Sequence, residues 1–165
     1  MKKIIVSMLL LLPLGLVAQE IKIATVDQSE IYNLMPELSA MENDIATMSK
    51  QYDDMLKSMH DEYTRKFSDL TAQGDTLTEN IRIIRVQEIE DLRARIENLA
   101  TSAQEEVKKK QESLFIPIQD KLIKAINSVG EENGYTYILD PRVLLFKGSS
   151  AIDATDKVKA KMGLK

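Results

Sequence analysis

The sequence predicts an α+β fold, mostly α: a long antiparallel coiled-coil hairpin projecting from a small three-stranded β body. Three observations carry that expectation. Two long charged segments flank Gly74, and each holds apolar residues at alternating steps of three and four, the spacing of a helical seam. Between them Gln73-Gly74-Asp75 supplies a turn. Short segments with strand-like alternation lie only at the two ends of the chain.

The chain opens with Lys2-Lys3, an almost unbroken apolar run from Ile4 to Val17, and Ala18-Gln19-Glu20. A basic start, a short apolar stretch and a small residue at its end make the pattern of a secretory signal peptide. The run is shorter than the roughly 20 residues of a membrane span. Residues 1–19 are therefore expected to be cleaved on export. The absence of cysteine excludes a lipoprotein attachment site, disulfides and thiolate-ligated metal. Without Lys2 and Lys3, 20 basic residues stand against 26 acidic ones, a formal net charge of −6. An acidic chain of this kind argues against nucleic acid as a partner.

Ile21 to Val26 reads as a short strand, Asp27 as a break, and Ser29-Glu30-Ile31-Tyr32 as a turn or two of helix. Pro36 suits the first turn of a helix and opens the outbound arm. Along that arm Leu38, Met41, Ile45, Met48, Tyr52, Met55 and Met59 keep a heptad, after which Tyr63, Phe67 and Leu70 slip by about one residue. The return arm carries Leu77, Ile81, Ile84, Ile89, Leu92, Ile96, Leu99 and Ala103, with a similar slip between Ile81 and Leu92. A turn centred near Gly74 sets Met59 opposite roughly Ile89, so that the slips coincide, and sets Pro36 opposite roughly Leu114. At about 1.5 Å per residue each arm reaches on the order of 50 Å, so the hairpin must project.

Pro117 interrupts the return pattern and should kink or restart the helix, which continues through Ile118, Leu122, Ile126 and Val129. Asn133-Gly134 closes it. Tyr135 to Leu139 alternates as a second strand, Asp140-Pro141-Arg142 turns, and Val143-Leu144-Leu145-Phe146 reads as a third strand. Asp153 or Thr155 then caps a last short helix. The domain division is thus signal peptide 1–19, a body formed by 20–36 and 114–165, and the hairpin 37–113 with its tip near 72–76, hinged at Pro36, Gly74 and Pro117. A three-stranded body of this size buries little surface and leaves two strand edges unpaired, which predicts closure against other copies of the chain.

The order Lys22-Ile23-Ala24-Thr25-Val26-Asp27, long charged hairpin, Asn133-Gly134-Tyr135-Thr136-Tyr137-Ile138-Leu139-Asp140, second strand and Ile152-Asp153-Ala154-Thr155 resembles the OmpH/Skp family of periplasmic chaperones over the whole mature chain. The resemblance implies a homotrimer whose strands share one body, with three helical tentacles around a cavity that holds unfolded outer-membrane β-barrel proteins without ATP. On that pattern Ile21, Ile23, Ala24, Val26, Tyr135, Tyr137, Ile138, Leu139, Val143, Leu144, Leu145 and Phe146 form the trimer body. The seam or client-facing positions are Met41, Ile45, Met48, Tyr52, Met55, Met59, Phe67, Leu70, Ile81, Ile84, Ile89, Leu92, Ile96 and Leu99. The location implied is the periplasm. Familiar members of the family are basic, whereas Glu42 to Glu112 here holds 16 acidic and 11 basic residues, which argues against lipid contact through the arms.

Other chemistry finds little support in the residues. His60 is the only histidine, and transition-metal sites favour several His or Cys ligands, so no metal and no cofactor are expected. Acidic neighbours such as Asp53-Asp54 point in different directions on a helix and do not form an acid/base pair, and no enzymatic activity is expected. Lys108-Lys109-Lys110 reads as a solvated face between glutamates, and Arg82, Arg85, Arg93 and Arg95 as a cationic cluster diluted by acids. Met41, Met48 and Met55, seven apart, either fill a loosely specified seam or give the arms a soft one. Two functions stay open: a holdase chaperone, and a structural or adaptor coiled coil linking cell-envelope components through its tips.

Overall fold

The computed structural model describes residues 21–73 and 76–165; the expected signal peptide and the expected hinge at Gly74 lie outside them. The elements run β1 (Ile23–Thr25), α1 (Gln28–Leu34), α2 (Pro36–Gln73), α3 (Glu79–Asn133), β2 (Tyr137–Leu139), β3 (Ile152–Asp153) and α4 (Thr155–Met162). Asp27 caps α1, its Oδ1 accepting from the Glu30 N–H at 3.1 Å. Met35, before Pro36, is extended at φ −79° and ψ 118°, and α2 begins at the proline itself, as that residue's fixed φ favours. α3 ends at Gly134 in the left-handed region, φ 62°, where the following Tyr135 N–H bonds back to the Gly130 carbonyl at 3.0 Å.

β1 lies in the middle of a three-stranded sheet of order β2-β1-β3, parallel to both neighbours. Ala24 faces Ile138 on one side and Ile152 on the other. A parallel pair needs a crossover that brings the chain back to the same end of the sheet. Here the crossover from β1 to β2 is the whole hairpin, which leaves along α2 and returns along α3. The lower part of α3 then covers the sheet: Ile118, Leu122, Ala125 and Val129 join Ala24, Val26, Ile31, Met35, Ala154 and Val158 in one core.

The structure corrects the third strand. Val143 to Phe146 is not a strand in this chain; the third strand is Ile152–Asp153. Asp140 accepts the Arg142 N–H at 2.9 Å and curls Pro141–Val143 into a 3-10 turn. Beyond it both sides of β1 are already taken, by β2 and by β3. The segment finds no ladder within its own chain, and Leu145 and Phe146 stand free, Phe146 with 84% of its surface exposed. The first two strands are also shorter than expected, at three residues each.

Pro117 neither ends nor restarts α3, which runs unbroken from Glu79 to Asn133. A proline inside a helix removes one backbone hydrogen bond and crowds the preceding turn, together at a cost of about 3 kcal/mol. Packing holds the helix on both sides: Phe115 lies against Tyr32 with ring centroids 5.6 Å apart, and Ile118 and Leu122 sit in the core.

β3 and α4 are fastened by one carboxylate. Asp153 accepts from Lys147 Nζ at 2.7 Å and from the Thr155 N–H at 2.9 Å, while Thr155 Oγ1 accepts from the Asp27 N–H at 3.0 Å. The bonds from Lys147 and Thr155 hold the Asp153 pKa down to about 2. A carboxylate whose pKa falls on folding stabilises the fold above its unfolded value near 3.8 and loses that contribution as pH drops through its folded value. The expected outcome is that Asp153→Asn lowers the denaturant midpoint at pH 6 and that its deficit against the unmodified chain shrinks steadily between pH 4 and pH 2. A deficit that stays constant over that range would show that the charge of Asp153 is not what fastens α4.

Candidate functional site: the hairpin and the free edge of the body

Three cross-arm contacts set the register of the hairpin. Lys121 Nζ bonds Glu37, the Tyr52 hydroxyl donates to Glu106, and Arg85 Nη1 donates to the Gln73 side chain at 3.1 Å. All three pairs are centred on residue 79, because α3 starts only at Glu79. The register expected from a turn at Gly74 is therefore displaced. His60 and Tyr63 lie across from Arg93, Ile96 and Glu97, lining one cavity with them, so Met59 does not meet Ile89. At the base Glu37 meets Lys121, and Ala40 and Met41 share a cavity of about 410 Å³ with Pro117 and Ile118. The expected coincidence of two local slips does not survive this shift.

What replaces it is an eleven-residue repeat through both arms. On α2 the buried and half-buried positions include Met41, Tyr52 and Tyr63, then Ile45 and Leu56, then Met48, Met59 and Leu70. On α3 they include Leu92, Ala103 and Leu114, then Ile96, Val107 and Ile118, with Ile89 and Leu99 between. Eleven residues in three turns lie close to the natural 3.6 per turn, so the stripe needs no left-handed supercoil to stay in contact. Met55 is the heptad position that loses: 51% of it is exposed, while Leu56 turns inward. The row Met41, Met48 and Met55 thus does not share one seam position. Leu56 and Val107 were legible as Ile45 plus eleven and Ile96 plus eleven.

Toward the tip the stripe opens. Phe67, Ile81 and Ile84 are exposed, Phe67 stacks on Tyr63 at 6.2 Å, and Lys66, Asp69, Gln73, Ile81, Ile84, Arg85, Glu88 and Ile89 surround a cleft of about 530 Å³. Lys66 bridges to Glu88 at 2.9 Å across it. Of Arg82, Arg85, Arg93 and Arg95, two are matched locally: Arg82 pairs with Glu79 at 2.8 Å and Arg93 with Glu97 at 3.1 Å. Hydrogen bonding to Lys121 holds the Glu37 carboxyl below its usual range, and hydrogen bonding to Glu106 raises the Tyr52 phenol.

The body residues divide in two. Ala24 and Val26 are buried in the core; Tyr135, Ile138, Leu139 and Leu144 are half-buried. Ile21, Ile23, Tyr137, Val143, Leu145 and Phe146 are exposed, Val143 at the end of the 3-10 turn and the last two beyond it. Among the described residues no group of His, Asp and Glu is arranged to hold a metal ion, and no helix is long and apolar enough to cross a membrane.

A projecting hairpin set between β1 and β2, with a small parallel sheet at its base, is an unusual arrangement, and a family profile matches it from end to end. The profile of outer membrane proteins described as OmpH-like covers residues 22–162. The chain belongs to that family. Its fold matches the crystal structure of an OmpH-like protein from Caulobacter crescentus CB15, which carries the provisional description of outer membrane chaperone. The TM-score is 0.74 at 14% identity, over 85% of this chain and 82% of that one. No curated protein matches the OmpH-like chain.

The revised seam makes a direct prediction. Leu56→Ala should destabilise the OmpH-like chain by about 1–2 kcal/mol, the lower range for a partly buried leucine. Met55→Lys should stay within about 0.5 kcal/mol. Chemical denaturation of the two variants checks this, and equal losses would restore the heptad.

Proposed function

We propose that this OmpH-like chain is an ATP-independent holdase chaperone of the periplasm, reached by cleavage of the signal peptide 1–19, and that it works as a homotrimer. Its clients are unfolded outer-membrane β-barrel proteins, kept from aggregating between the arms. One observation carries the reading: the hairpin stands out from the body with apolar side chains off its seam, scattered among charges, at Met55, Phe67, Ile81 and Ile84. Each such site offers an apolar contact of about 1–2 kcal/mol, too weak to hold a partner alone. Several arms around one client multiply such contacts without a tight site, so the client is held yet releasable. The reaction scheme needs no chemical step, and the family gives no reason to assign one.

Assembly supplies the arms with their common axis. The exposed Val143, Leu145 and Phe146 of one copy, laid along the open edge of β2 in the next, would give that segment the ladder its own chain lacks and cover its apolar side chains. A contact of that kind is head-to-tail, and a rotation of one third of a turn per copy would close it into a three-membered ring. The domain division follows: body 20–36 and 114–165, tentacle 37–113. The acidic arms, with Arg82 and Arg93 already paired, give no pull toward anionic lipid.

Purified mature protein should have three times the chain mass in solution and should suppress aggregation of a urea-diluted β-barrel protein with no nucleotide present. Replacing Val143, Leu145 and Phe146 together by Ser should return the mass to one chain, keep the helical circular dichroism signal and lose most of the suppression. A stable single-chain wild type, or full suppression by the single-chain variant, would overturn the trimeric holdase. Wild type that assembles but suppresses nothing would favour the adaptor.

A further inference from the structure

The start of α3 is apolar on more than one face. Ile81 and Ile84 line the cleft between the arms, but Ile83 and Val86, three residues apart and so on one face, lie outside it and expose 57% and 44% of their surface. Nothing else among the described residues covers them, since α2 and α3 carry this point on the order of 50 Å from the sheet. Exposed aliphatic side chains at the end of a long rod are a contact surface, and three features choose its occupant.

The first is charge. Around the patch Arg82 is paired with Glu79 and Lys66 with Glu88, while Arg85, bonded to the neutral Gln73 amide, shares its cleft with Asp69. The two signs are close to balanced there, which gives little pull on an anionic membrane or an oppositely charged protein, whereas such a mixture beside an apolar pair is complementary to itself. The second is size. Two half-exposed aliphatic side chains with a rim offer on the order of a few hundred Å² when doubled, well under the roughly 1,200 Å² of a stable interface between free molecules. The third is tethering. Arms joined at a common base meet within one assembly, so a contact too small to hold free molecules together can still close and open there.

We propose that the Ile83–Val86 face is a tip-to-tip contact with the same face of a neighbouring copy, closing the mouth of the empty assembly; this rests on the assembled body argued above. The contact is weak by construction. It shields the apolar tip from water when no client is present, and separates when the arms spread around one.

The chain has no native cysteine, so single thiols report cleanly. Ile83→Cys places one on the patch, and Thr101→Cys places one on the same helical face about five turns nearer the base. Solution mass of each variant is read first: single chains would mean that the assembly itself has failed. With the assembled mass intact, mild oxidation should join Ile83→Cys chains in pairs at least tenfold faster than Thr101→Cys chains, at a rate unchanged by tenfold dilution. Equal rates for the two positions would overturn the proposal, as would a rate that falls on dilution, which marks contact between separate assemblies. It also fails if Ile83→Cys does not cross-link while Ile83→Ser with Val86→Ser captures less unfolded β-barrel protein, because the patch then belongs to the client.

Discussion

From Met41 outward no third layer is present among the described residues, and α2 is held chiefly by the stripe it shares with α3. Each helix gives that stripe one residue in three or four and leaves the rest of its circumference to water. Helices that long are not stable in isolation by propensity alone, and here Glu, Lys and Arg fill the exposed faces while Ile89, Leu92, Ile96 and Ala103 do the burying. A thin stripe of similar aliphatic side chains slides easily. Glu37–Lys121, Tyr52–Glu106 and Gln73–Arg85 resist that, since a shift of one turn would separate all three pairs together. Their worth is in register more than in stability, because exposed pairs of this kind contribute at most about 1 kcal/mol each.

The base of the hairpin is also the wall of the body. Met41 and Ile118 pack with Ala24, Val26 and Val158, so the sheet and the arms share one core instead of meeting across a linker. Strands of two or three residues would not persist without it. Lys22 ties the first strand to the end of α3, its Nζ donating to the Asn133 carbonyl at 2.9 Å, where a cation also meets the negative end of the helix dipole. Lys22 and Lys157 both lie over the Tyr135 ring, at 4.9 Å and 5.5 Å, which draws β1, β2 and α4 together at one corner.

Much of this was legible in the residues, and the failures have identifiable causes. Asp27, Pro36 and Gly134 announce helix ends by mechanisms internal to a few residues, and they hold. Met55 and Leu56 are adjacent and both apolar, so spacing alone could not choose between seven and eleven; the choice depends on the partner helix. The register slipped because it rested on the centre of a turn, and α3 does not begin until Glu79. Val143-Leu144-Leu145-Phe146 has the composition of a strand, but composition does not say which of two later segments takes the place beside β1, and Ile152–Asp153 takes it. Phe67, Ile81 and Ile84 read as seam or client-facing residues, because they are apolar and nearly in phase with the seam. Whether such residues pack or stand open depends on how closely two helices approach near their ends, which periodicity does not contain.

Continuity of α3 through Pro117 decides where the arms can yield. A restart at that point would have placed a joint between body and tentacle, and the arms would swing as rigid rods. Instead one helix runs from the cleft near the tip to the core of the body, and its lower third is gripped by Ile31, Met35 and the sheet. The direction in which the arm leaves the body is therefore fixed by that shared core. Compliance lies further out, where the stripe thins into the open cleft. A load on the arms would bend them there and leave the sheet undisturbed, because separating α3 from the core means exposing Leu122 and Val129 to water, at about 1.5–3 kcal/mol for each side chain.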